Sequence, residues 1–102
     1  MAWKLLIDGA TGTDATKQTF RVDKAHFVGN CVPGLKSRGL GTGDSIRVFE
    51  WVDGAWGPVA TTLTPETPSR PILSVGLYAV DAVMATSGPV SCQLDAPNQI
   101  PD

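Results

Sequence analysis

The sequence predicts an all-β chain: a small antiparallel sandwich, immunoglobulin-like or jelly-roll-like, of about seven short strands with extended termini. Three observations predict it. Residues 44–59, DSIRVFEWVDGAWGPV, set Asp53-Gly54 between two β-branched and aromatic runs. A tight turn that follows strand twist needs positive φ, which Asp and Gly tolerate, so this pattern signals a hairpin. Turn residues recur about every 8–12 positions, the spacing of a sandwich or barrel. No stretch of comparable strength reads as helix. The 102 residues make one domain, 1–95. Residues 96–102, with two prolines and no strand pattern, read as an extended or flexible arm.

Each element follows from its residues. The first strand covers 2–7 and stops at Asp8-Gly9. A Thr- and Gly-rich loop leads to a second strand, 18–22, with Phe20 and Val22 on one face. A third strand, 26–32, closes at Pro33-Gly34. The next nine residues, 35–43, hold three glycines and read as a flexible surface loop. The hairpin arms are 44–52 and 56–62. In the first arm Ile46, Val48 and Val52 share one face, and Arg47, Phe49 and Trp51 share the other. Residues 63–71 form a crossover whose three prolines oppose regular pairing, and 72–75 form a short edge strand. A strong strand covers 76–85. A turn at 86–89 leads to the last strand, 90–95, with Val90, Cys92 and Leu94 on one face. Tyr78 has the look of an immunoglobulin-type corner residue, its hydroxyl bonding back to the preceding loop, with Val80 inward.

Composition limits function. Charged residues make up 18%, the net charge is −2, and the eight basic residues are scattered apart from Lys36 and Arg38. Nucleic-acid binding needs a basic face that releases counterions, so no nucleic-acid partner is expected. No apolar run reaches the roughly 18–20 residues that span a bilayer, so no membrane is expected either. Residues 1–10 hold too short an apolar run for an export signal, which implies synthesis in the cytoplasm. Cys31 and Cys92 read as two buried thiols acting as small apolar residues, with a disulfide between the sheets as the alternative. Two cysteines and one histidine do not make a usual zinc site.

No catalytic constellation emerges, and an enzyme is not expected. His26 is the lone histidine, and nothing ties it to Cys31, Cys92 or a serine as nucleophile chemistry requires. Asp44, Glu50, Asp53 and Asp81 lie near strands, where acidic residues commonly serve turns. The glycines at 39, 41 and 43 precede a strand instead of the helix that a phosphate loop needs. Asp8 and Asp14 do not have EF-hand spacing. No cofactor or metal is predicted.

Two strands carry apolar groups on both faces. If Tyr78, Val80 and Ala82 point inward, then Leu77, Ala79, Asp81 and Val83 point outward; Phe49 and Trp51 likewise oppose Ile46 and Val48. A two-sheet domain buries only one face of each sheet in its own core, so the second face marks a covering segment or a partner. Arg47, Phe49, Trp51 and Trp56 are therefore the candidate partner-binding residues, since Trp dominates interface hot spots. Trp3 is assigned to packing of the first strand. An exposed Trp is also the platform of a carbohydrate-binding module.

The order Phe20-Arg21-Val22, then the run from Ile46 to Val59, then Leu63-Thr64, Gly76-Leu77-Tyr78 and the strand from Val90 to Leu94 resembles a family of small phage virion proteins. The likeness spans residues 17–95. The chain departs from the family by lacking a Ser-x-Asp run before the Trp and by its glycine-rich stretch 35–43. The resemblance implies a virion structural role: a capsid decoration (cement) protein on the capsid surface. It would bind the major capsid protein and its own copies as a homodimer or homotrimer, with the first strand and residues 96–102 as arms. The alternative is a carbohydrate- or receptor-binding, or tail-associated, sandwich module.

Overall fold

The computed structural model describes residues 2–27, 32–72 and 74–96. Among these, eight strands form two antiparallel sheets: β1 (Ala2–Ala10), β2 (Asp14–Val22), β3 (Gly34–Arg38), β4 (Ser45–Val52), β5 (Ala55–Leu63), β6 (Ser69–Pro71), β7 (Gly76–Val83) and β8 (Val90–Ala96). One sheet has the order β1-β8-β3-β6 and the other β2-β7-β4-β5. Successive strands mostly alternate between sheets, and the first pairs with the last. This is the double-Greek-key connectivity of a jelly roll, which decides between the two sandwich types the sequence allows.

The core is the set of inward positions that strand alternation dictates. From one sheet come Phe20, Val22, Ile46, Val48, Leu63, Tyr78, Val80 and Ala82; from the other come Leu35, Val90, Cys92 and Leu94, with Leu6 and Ile7. Phe20 and Tyr78 are register partners, and their rings stack with centroids 5.6 Å apart. The Tyr78 hydroxyl donates to the Ser74 carbonyl at 3.0 Å. The corner bond expected of Tyr78 thus forms, in a jelly roll.

The hairpin stands where the sequence puts it. Asp53 (φ 52°) and Gly54 (φ 82°) both occupy the left-handed region, as a two-residue turn between right-twisted strands requires. Ile46 and Val48 point inward and Arg47, Phe49 and Trp51 outward, whereas Val52 runs past the core and is 51% exposed.

Four local expectations are corrected. Residues 34–38 are strand β3 and not loop: Leu35 and Ser37 point inward, and the Ser37 hydroxyl donates to the Pro68 carbonyl at 2.7 Å. His26 ends a single 3-10 turn, Lys24–His26, rather than opening a strand; its Nδ1 accepts the Asp23 amide at 2.9 Å. The edge strand is Ser69–Pro71 and precedes the predicted 72–75; Ile72 follows it and is buried. The first and second strands are longer than expected, β1 crossing Asp8-Gly9 through register shifts that absorb the irregularity. Cys31 and the arm residues 97–102 lie outside the described residues, as does the side chain of Trp3. Among the described residues no helix is long and apolar enough to cross a membrane.

Candidate functional site

The outward face of the β2-β7-β4-β5 sheet carries the four candidate residues. Arg47 is paired with Asp81 across β4 and β7, Phe49 with Ala79, and Trp51 with Trp56 across the hairpin. Alternation therefore places all of them on one surface with Asp81, and β2 adds Lys17, Thr19 and Arg21 alongside.

Asp81 is a carboxylate in a β-strand with a fully covered side chain, which is tolerable only if its charge is compensated. Arg47 supplies a two-pronged contact, Nε to Oδ1 at 2.8 Å and a terminal nitrogen to Oδ2 at 2.7 Å. Lys17 adds Nζ to Oδ2 at 3.3 Å. The bond to Asp81, with its charge, raises the Arg47 pKa further above its ordinary value. The same two cations roof Phe49: Lys17 Nζ lies 4.2 Å from the ring centroid and Arg47 Cζ 5.3 Å. Phe49 is only 9% exposed as a result. It is not the exposed contact residue that alternation alone predicts, because long cationic stems cover it within the chain.

Trp51 is not covered. It remains 44% exposed, next to the exposed Val52, and its ring meets the half-buried Trp56 edge-on at 5.0 Å and 71°. The tight Asp53-Gly54 turn holds both indoles on a paired hairpin, so the aromatic pair is positioned before any partner arrives. Sequence reasoning named the four candidates but not Lys17, whose contact with Asp81 depends on a register across two strands 64 residues apart. An Asp inside an apolar strand was the available signal: it implies a cation nearby.

The other chemical groups lie in the core or in loops, and the buried His26 Nε2 has no hydrogen-bond partner among the described residues. The Cys92 thiol is buried in the core, and burial, aided by the charge of Asp95, pushes its pKa up to about 12. It is a protonated apolar group at neutral pH. His26 is fully buried. Asp44 is also buried and accepts from the Gly41, Ala85 and Thr86 amides at 2.8, 2.7 and 2.8 Å and from the Thr86 hydroxyl. On the opposite sheet a cavity of about 480 Å³ lies beside the β6 edge, lined by Val32, Pro33, Lys36, Arg70, Pro71 and Asp95, among others. Among the described residues no group of His, Cys, Asp and Glu is arranged to hold a metal ion.

The described residues thus form an eight-stranded jelly roll with an aromatic and cationic outer sheet face. No protein-family model matches it, and comparisons with curated proteins and with solved structures return no match.

Proposed function

We propose that this jelly roll is a virion attachment protein: a capsid decoration module that docks on the major capsid protein through the outer face of the β2-β7-β4-β5 sheet. The observation that carries the reading is Trp51, left 44% exposed beside Trp56 on the paired β4–β5 hairpin. The resemblance to small phage virion proteins supplies the setting. An exposed indole held in place loses little entropy on contact, which favours a hot spot.

Size supports many weak contacts over one strong contact. Four strands spaced about 4.8 Å apart, with eight residues in β4, make a face on the order of 500 Å². A standard interface buries about 800 Å² per partner. A single face binds weakly, and stable attachment needs contacts to neighbouring copies as well, the arrangement a repeating shell offers. Binding only the assembled shell then stabilises that state by mass action. The carbohydrate-binding reading ranks second, because rings crossed at 71° do not form the flat platform that a sugar stacks on.

Copy number tests the proposal. Quantitative mass spectrometry of purified particles is expected to find the chain in fixed stoichiometry with the shell protein, hundreds per head. Six to twelve copies per particle would place it at the tail, and none would refute a virion role.

A further inference from the structure

We infer that the partner of this sheet face is an acidic protein surface, into whose apolar pocket Trp51 inserts. The inference rests on the attachment reading and specifies its chemistry. Among the described side chains that face outward from the four strands, Lys17, Arg21 and Arg47 are cationic and Asp81 alone is anionic. These described side chains sum to a net charge of +2 (three cations, one anion) on a chain whose net charge is −2. The molecule is therefore polarised: a cationic sheet face on an otherwise acidic body.

The arrangement favours recognition over stability. Asp81 needs one cation, and the two-pronged Arg47 contact already satisfies it. Lys17 is held at the rim of the same carboxylate with part of its side chain in solvent, and Arg21 is exposed. Roofing Phe49 keeps both cationic heads at the height of the sheet face, the same face that carries the Trp51–Trp56 pair. A partner meeting this surface must offer carboxylates to the cations and an apolar recess to the indole. A basic partner is rejected by like-charge repulsion. A polyuronate glycan shares the charge but not the recess, so it serves as the competing ligand in the test.

The test uses the full-length, isotope-labelled protein titrated by NMR with a synthetic peptide of alternating Glu and Leu residues, and in parallel with an oligogalacturonate. The peptide is expected to shift the Trp51 and Trp56 indole N–H signals, the Arg47 Nε–H signal and the Arg21 amide. Raising the salt should weaken its binding. Arg21→Glu is expected to weaken peptide binding roughly tenfold, while Lys36→Glu, an equal charge change on the other sheet, changes it less than about twofold. Peptide shifts confined to Lys36, Arg70 and Val32, no peptide binding, equal losses for both variants, or a response to the glycan alone would each overturn the inference. No virion enters this titration, so its failure leaves the copy-number result standing, and an absence of virion copies refutes the attachment reading on separate grounds.

Discussion

Asp44 ties together two loops whose residues are 41 and 42 positions apart in sequence. The Thr86 hydroxyl, foremost, and the Gly41 amide, with the Thr86 and Ala85 amides, outweigh burial and hold its carboxyl well below the usual carboxylate range. The sign of the pH effect follows. As pH falls, the unfolded chain takes up this proton first, near pH 4. The stabilisation is complete above that value and is lost progressively below it. Urea midpoints measured from pH 7 to pH 2.5 are expected to fall steeply below about pH 4 in the parent chain. Asp44→Asn should be less stable at neutral pH and have a flatter acid limb; parallel curves would contradict this role. Gly39 offers a second test. Its φ of 84° suits only glycine, and a Cβ there would run into the Pro89 carbonyl oxygen. Gly39→Ala is expected to cost about 2 kcal/mol or more, whereas Gly12→Ala, with open space around it, should cost under about 0.5 kcal/mol by the same denaturation measurement.

At the scale of elements, the sequence was most legible where local chemistry and tertiary demand agree. The β4–β5 hairpin combines a positive-φ turn with strong alternation, and its faces follow directly. β7 and β8 were legible for the same reason, since Val80, Ala82, Val90, Cys92 and Leu94 stand at alternating inward positions. β3 was hidden. Its two inward residues are Leu35 and Ser37, a pattern with one apolar member between glycines, and the Pro68 carbonyl that satisfies Ser37 lies 31 residues away. β6 was displaced by its proline, which an edge strand tolerates and a central one would not. Covering of Phe49 was equally invisible, because it depends on Lys17 arriving from β2. Treating β3 as a core strand carries a consequence: Leu35→Ala should destabilise by about 2–5 kcal/mol in chemical denaturation, as core leucines do. A loss under about 1 kcal/mol would return residues 34–38 to the loop expected from composition.

For the whole molecule, the jelly roll separates two tasks between its sheet faces. The inward faces bury the aliphatic residues and the Phe20–Tyr78 stack. The outward face of β2-β7-β4-β5 carries what the interior does not take in: a compensated Asp81, surplus cations and an exposed indole. The candidate residues Arg47, Trp51 and Trp56 were readable because they lie on one hairpin, while the charge of the surface they share emerged only from the pairing of β2, β7 and β4. Attachment to purified heads by the Trp51→Ala variant, measured by co-sedimentation against the parent chain, tests the claim that this face is the docking surface. The account predicts a fold retained with a melting temperature within a few degrees of the parent and an affinity for heads reduced about tenfold or more. A folded Trp51→Ala protein that saturates heads with unchanged affinity would contradict it.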